Sequence, residues 1–356
     1  LRHFRAATPA LLATGALVLT ACSTVGGGDG DSGTTKDGEP TRVVLVTHES
    51  FVLPEDLQAE FEQQSGYELV VRASGDAGAL TNKLVLTKGD PLGDVTFGID
   101  NTFASRALDE GVLAPYDATL PEGAEQYRLP GDDDHALTPV DNASVCVNVD
   151  DTWFAAHDQE PPSSLDDLAD PAYRDLFVAP GAATSSPGMA FLLATIAEYG
   201  DDWPDYWERL MANGAKLTEG WSDAYQVDFT QGGGQGKRPV VLSYDSSPAF
   251  TIADDGTSTT SALLDTCFRQ VEYAGVLEGA ENPDGAEALV DFLLTPEVQA
   301  ALPESMYVFP VDAGVELPEE WAQFARQPAD PLEVDPAEIA ANRDDWLREW
   351  SDITSR

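Results

Sequence analysis

Basic residues are scarce in this sequence: 19 Lys and Arg stand against 63 Asp and Glu, giving a formal net charge of -44. A phosphate backbone is bound through a basic surface, so nucleic acid is excluded as a partner. An acidic field draws cations instead, although dispersed Asp and Glu also serve simply as a solvated surface. Cysteine and histidine are equally sparse, with 3 and 4 copies. No Cys-x-x-Cys pair or Cys/His cluster occurs, which leaves no sequence basis for a structural metal. No Gly-x-Ser-x-Gly frame surrounds any serine, and His48, His135 and His157 have no recognisable catalytic partner, so enzyme chemistry has little to stand on. Nor is a cofactor motif present. The glycine-rich run Gly232-Gly233-Gly234-Gln235-Gly236-Lys237-Arg238 has the wrong spacing for a P-loop, and Arg238 stands where Ser or Thr would bind magnesium. The acidic run Asp132-Asp133-Asp134-His135 reads as solvated surface rather than a metal site.

Long apolar runs are missing too. The one near the start, residues 10–19, is shorter than the roughly 20 residues that span a bilayer. It follows Arg2, His3 and Arg5 and leads into Leu19-Thr20-Ala21-Cys22, the pattern of a secretory signal ending in a lipobox. Residues 1–21 are therefore expected to be a lipoprotein signal peptide. Cys22 would be the lipidated residue, anchoring the chain to the extracytoplasmic face of the cell membrane. Residues 22–40 hold little to bury and read as a flexible tether. With Cys22 set aside, Cys146 and Cys267 form an even remainder, consistent with one disulfide in an oxidising compartment or with two buried thiols.

The body beginning at residue 41 exceeds 300 residues, more than one hydrophobic core usually serves, and two lobes are expected. Residues 43–47, 68–73 and 94–99 read as strands, alternating with helices that begin near Pro54, over 80–88 and over 103–110. Such alternation argues for an α/β architecture with a mostly parallel sheet. Ligands bind beyond the carboxyl ends of such strands, where His48, Glu49, Ser50, Asp76, Asp100 and Asn101 gather. Residues 141–270 form a second block, with strands over 144–149 and 239–244 and helices over 189–199 and 203–211. A strand over 271–273 and a helix over 285–294 then resume the first style. The division is accordingly 41–140 plus 271–356 for one lobe, with its C-terminal helices, and 141–270 for the other. In the tail, Ile339, Trp346 and Trp350 fall at helical spacing and read as packing.

Three constellations carry hydrogen-bonding and aromatic groups. Thr184-Ser185-Ser186-Pro187-Gly188 leads into a helix, and its hydroxyls and free N–H groups suit either an anion or a simple cap. Gly220-Trp221-Ser222-Asp223-Ala224-Tyr225 offers aromatic faces in a polar segment, suited to a flat or cationic ligand. Ser243-Tyr244-Asp245-Ser246-Ser247-Pro248 closes an apolar strand with a crowd of polar groups.

Together with Asp291-Phe292-Leu293-Leu294-Thr295-Pro296-Glu297, these motifs resemble the thiamine-binding periplasmic proteins, the substrate-binding components of bacterial thiamine ABC transporters. The resemblance runs over nearly the whole body, from residue 43 to 350. It implies a two-lobed periplasmic-binding-protein type II fold that closes by hinge bending. It implies a non-enzymatic role: capture of thiamine or a phosphate ester, and delivery to an ABC permease by a monomer. By position, Asp76 would meet the aminopyrimidine, Trp221 would stack on the ligand, and Ser185 and Ser186 would face its hydroxyethyl or phosphate end. Tyr225, Tyr244, Asp245, Ser246, Ser247 and Pro248 would complete the wall, with His48 and Tyr307 where the family carries Tyr and Trp. Phe250 likewise replaces a Tyr. Asp245 adds a negative charge that would favour unesterified thiamine. A ferric-iron or polyamine carrier is the alternative within the fold, and a secreted hydrolase the alternative outside it. Iron carriers of this fold use adjacent tyrosines, and no Tyr-Tyr pair occurs here.

Overall fold

The computed structural model describes residues 41–355. The expected signal peptide, Cys22 and tether lie outside the described residues. The first strand, β1 (Arg42–Thr47), is a β-branched run buried from Val43 onward except for partly buried Val44. It lies between β2 (Glu68–Ala73) and β3 (Val95–Asp100), parallel to both. A parallel strand with covered faces must be apolar along its length, and β3 is buried at every position. Between these strands, the Glu55–Ser65 helix sets Leu57 and Phe61 inward, and Gly66 ends it in the left-handed conformation with its N–H on Glu62 O. Burying a side chain such as Phe61 contributes about 1.5–3 kcal/mol.

Two long strands then dominate the sheet: β4 (Thr138–Asp150) and β8 (Thr260–Val276). With β5 (Phe177–Pro180), β6 (Lys216–Thr218), β7 (Val240–Tyr244) and β9 (Phe309–Pro310), the order is β2-β1-β3-β8-β4-β7-β5-β6, and β9 pairs with β4. The sheet is mixed rather than mostly parallel. Its two outer groups are parallel, whereas β8 pairs antiparallel with β3 and β4, and β4 with β7 and β9. The segments expected as strands over 144–149 and 271–273 are parts of β4 and β8. Their full length was hidden because β4 carries buried Asp141, Asn142, Ser144 and Asn148 among its apolar residues, which breaks the hydrophobic pattern.

Both long strands contribute to the apolar clusters on either side. One cluster gathers β1, β3 and the Pro283–Leu293 and Pro296–Met306 helices. The other gathers Val145, Val147 and Val149 of β4, β5, β7 and the apolar run 189–194 with Ile196 of the Ser186–Tyr199 helix. Ile339, Trp350 and Ile353 of the C-terminal Pro336–Thr354 helix belong to this second cluster, with Trp350 edge-on to Trp207 at 5.7 Å. The C-terminal helix therefore packs on the 141–270 block through Trp350, while its Arg343 lies over the Phe103 ring of the first block at 5.4 Å.

The β4/β8 ladder shifts register between Val145 and Val147. Thr266 fills the gap, its Oγ1 accepting from Val147 N at 3.0 Å and donating to Leu263 O at 2.7 Å. Cys146 and Cys267 face each other at this irregularity and are bonded as a disulfide. No described helix is long and apolar enough to cross a membrane.

Candidate ligand-binding cleft

The carboxyl ends of β1 and β2 open on a cleft of about 280 Å³. His48, Glu49 and Ser50 line it from the end of β1, Asp76 and Ala77 from the segment after β2, and Glu272 from β8. The opposite wall holds Ser186, Pro187, Trp221, Ser222, Gln226 and Tyr244, and the rim holds Ser305, Met306, Tyr307 and Val308. The volume sits near the lower end, about 300 Å³, of small-molecule sites. Three carboxylic acids line it and no Lys or Arg does.

Asp76 caps the Ala77–Leu86 helix, Oδ1 accepting from Ala77 N at 2.7 Å, while Oδ2 accepts from Trp221 N at 2.9 Å. Burial raises its pKa against those hydrogen bonds and the neighbouring Ser185 and Ser186. Asp76 thus lies beside the start of the Ser186–Tyr199 helix, where an outside anion would otherwise bind. Gly220 makes this approach feasible, because a Cβ there would stand 3.0 Å from Asp76 Oδ2. Two further contacts join the same elements: Ala79 N donates to Thr184 O at 3.0 Å, and Ser50 Oγ is 3.4 Å from Ser222 Oγ.

His48 is buried with its ring against Gly98, whose φ of +99° and lack of a Cβ leave the necessary space; a Cβ would come within 2.2 Å of His48 Cδ2. Its Nδ1 accepts from Ser50 N at 3.2 Å, so the ring proton belongs on Nε2, which faces Glu272 Oε1 at 3.5 Å. Burial lowers the His48 pKa to about 4, leaving the ring neutral at neutral pH.

The aromatic wall is built around a wide helical turn, Asp223–Asp228. It brings Tyr225 parallel to Trp221, with ring centroids 5.0 Å apart and an interplanar angle of 15°. Trp221 Nε1 donates to Ser243 Oγ at 3.0 Å, which fixes the indole at the edge of the cleft. Tyr244 lies 6.2 Å from the Trp221 ring. Tyr307 ends the Pro296–Met306 helix at a left-handed φ of 64° and meets Phe250 edge-on at 4.0 Å. Ser246 Oγ donates to Tyr307 O at 2.6 Å and holds that turn.

Of the residues expected at the site, the structure brings together His48, Asp76, Ser186, Trp221, Tyr244 and Tyr307 on this cleft. Tyr225 and Ser247 line an adjoining space of about 520 Å³, shared with Trp221, Tyr307, Phe250 and the Gly232-Gly233-Gly234 turn. Ser185 is fully buried and does not line the cleft, although it lies beside Asp76. Asp245 and Pro248 line a separate cavity with Asp151 and Arg326. Asp245 is buried without a hydrogen-bond partner on either carboxylate oxygen, and burial pushes its pKa up to about 7. Glu272 was not singled out from sequence. Its signal was faint, a lone acid between Val271 and Tyr273 in an apolar strand.

A sheet in two parts joined by the long β4/β8 pair, with a polar and aromatic cleft at the strand ends, defines a two-lobed binding protein of the periplasmic type II fold. The chain belongs to the family of bacterial extracellular solute-binding proteins, whose model matches residues 90–332. It is 31% identical to the thiamine-binding periplasmic protein of Escherichia coli (strain K12) over 83% of this chain and 87% of that one. The identity is also 31% to the thiamine-binding periplasmic protein of Brucella melitensis biotype 1, over 88% of this chain and 92% of that one. A solved structure of a periplasmic thiamin binding protein superposes with a TM-score of 0.79 at 28% identity, covering 92% of this chain and all (100%) of that chain. These relatives are named as binding proteins rather than enzymes.

Proposed function

We propose that this protein captures thiamine outside the cytoplasmic membrane and delivers it to an ABC permease, without catalysis. The observation that carries this reading is the cleft itself: an aromatic wall of Trp221, Tyr244 and Tyr307 facing Glu49, Asp76 and Glu272, with no basic lining residue. Thiamine is a cationic thiazolium joined to a hydrogen-bonding pyrimidine, and that lining offers both kinds of partner. Trp221 and Tyr244 take the flat rings, Asp76 the aminopyrimidine, His48 and Ser186 the remaining polar edges, and Tyr307 covers the mouth. Unesterified thiamine is the preferred form, because a phosphate would meet three carboxylic acids and no Lys or Arg in the lining. A ferric-iron cargo has weaker support, since iron carriers of this fold use adjacent tyrosines and no Tyr-Tyr pair occurs here.

Residues 41–140 with 271–335 form one lobe and 141–270 the other, and the Pro336–Thr354 helix travels with the second. The hinge lies where β4 and β8 pass between them. Cys22 carries the lipid anchor, the tether keeps the clamp near its permease, and the protein acts as a monomer. Calorimetric titration of the mature protein with thiamine tests the ligand: saturable one-to-one binding at micromolar concentration is expected, and absence of heat together with no tryptophan fluorescence change overturns the reading.

A further inference from the structure

Three carboxyl groups stand side by side beneath the cleft. Asp100 pairs with Glu272 across the β3/β8 ladder, and Glu272 pairs with Asp141 across the β8/β4 ladder. Directly opposed residues place their side chains on the same face of a sheet. All three are nearly inaccessible, at 0%, 6% and 1% exposure for Asp100, Glu272 and Asp141. Only Glu272 also lines the cleft. No N–H or hydroxyl reaches either oxygen of Asp141, which meets the Glu272 carboxyl instead; only one oxygen of Asp100 has a hydrogen-bond partner, and His48 Nε2, 3.5 Å from Glu272, has none.

The groups facing Glu272 leave it short of positive charge. His48 is neutral, Tyr244 is a phenol, and Asp141, Asp100 and Asp76 add like charge. Arg269, three residues earlier on the same strand, donates to Asn142 Oδ1 at 3.2 Å. Burial, then the facing Asp141, raises the pKa of Glu272 well above that of a free glutamate, and burial does the same for Asp141. Two opposed carboxyls in a low-dielectric site cannot both ionise unless a counter-charge arrives.

We propose that Glu272, backed by Asp141, is the charge-selecting group of the cleft, holding a ligand by its positive ring and rejecting a neutral ring of the same shape. This deepens the thiamine reading and rests on it. Without ligand the pair retains a proton. A thiazolium entering the cleft supplies the missing positive charge, the proton leaves to solvent, and an ion pair forms where water is largely excluded. A neutral isostere leaves the pair protonated, so no ion pair forms.

The test is titration calorimetry on the whole mature protein, in two buffers of different ionisation heat near pH 7. The probes are thiamine and its thiophene isostere, in which carbon replaces the quaternary nitrogen. Wild type is expected to bind thiamine at least about tenfold more tightly, the equivalent of one pK unit, with measurable proton release. Glu272→Gln matches the protonated carboxyl in shape, and should lose at least about threefold of the wild-type preference for thiamine, with less proton release. Asp141→Asn removes the like charge and should lower the proton release seen with thiamine. A Glu272→Gln protein that keeps the wild-type preference overturns the assignment, as does Asp141→Asn with undiminished release. Equal binding of both compounds by wild type overturns the assignment while leaving the thiamine reading standing. Failure of both compounds to bind wild type overturns the two together.

Discussion

The Asp76 carboxylate reaches across the cleft to the backbone N–H of Trp221, 145 residues further along the chain, with Oδ2 and N 2.9 Å apart. Its other oxygen caps the Ala77–Leu86 helix at 2.7 Å. One side chain thereby joins the floor of the first strand group to the aromatic wall of the second. Asp76→Ala leaves both N–H groups without their acceptor, and a loss of about 1–3 kcal/mol in stability is expected from urea unfolding. The same variant should bind thiamine more weakly; unchanged affinity would remove Asp76 from the site.

Trp221 is the one tryptophan that lines the cleft. Trp207 and Trp350 are held in the second apolar cluster, and Trp321 packs under Phe250 and Phe309. Ligand binding should therefore quench chiefly Trp221. Trp221→Phe is expected to abolish most of the fluorescence change while costing about 0.5–2 kcal/mol in affinity, the scale of an aromatic contact with a cation. A full-sized quench in this variant would point to a different tryptophan.

Selection against phosphate follows from charge. Glu49, Asp76 and Glu272 line the cleft with no basic residue to offset them, and juxtaposed like charges across a contact cost several kcal/mol. Thiamine should bind at least about tenfold more tightly than its pyrophosphate at low ionic strength, and added salt should narrow the gap by screening. Competition calorimetry measures both. Tighter binding of the pyrophosphate would contradict the charge argument.

How much of this was legible in the sequence depends on what each residue needs in order to be recognised. His48, Asp76 and Ser186 stand at strand ends or helix starts, positions that local pattern locates, and the structure gathers them. Trp221 and Tyr244 sit in motifs whose neighbours mark them. Glu272 owes its place to register, because its position at the cleft depends on β8 pairing with β3 and β4 over 17 residues, of which only three were recognisable as strand. Asp245 follows Tyr244 directly, and successive side chains along extended backbone point to opposite sides. It therefore lines a different cavity, although a local reading groups the two. The C-terminal helix was legible as packing, but its partner Trp207 lies 143 residues earlier and no local pattern names it.

The disulfide closes a long loop, its cysteines 121 residues apart in sequence. Cys146→Ser with Cys267→Ser should destabilise the protein by about 2–5 kcal/mol in denaturant titration, chiefly through a freer unfolded chain. The bond lies at the β4/β8 irregularity and neither cysteine lines the cleft, so the ligand affinity of the remaining folded protein should stay near that of wild type. A large loss of affinity in the folded double variant would instead make the bond part of the binding geometry.

Asp245 makes stability depend on pH in a window of its own. Its folded pKa is raised from 3.8 to about 7 by burial, so folding is favoured while the carboxyl is protonated, and that contribution disappears as pH rises through about 7. Asp100, raised to about 6 by burial, acts in the same direction at lower pH. His48 acts oppositely: its pKa falls from 6.5 to about 4, so its contribution is present above the unfolded value and is lost as pH drops below it. Above pH 6.5 the carboxyls therefore decide the slope. Asp245 should account for a loss of about 1 kcal/mol between pH 6.5 and 8.5. Asp245→Asn keeps the shape and removes the proton, so its unfolding free energy should decline less by that amount over the same range. A variant with the wild-type slope would show that the buried carboxyl finds a counter-charge and stays ionised throughout.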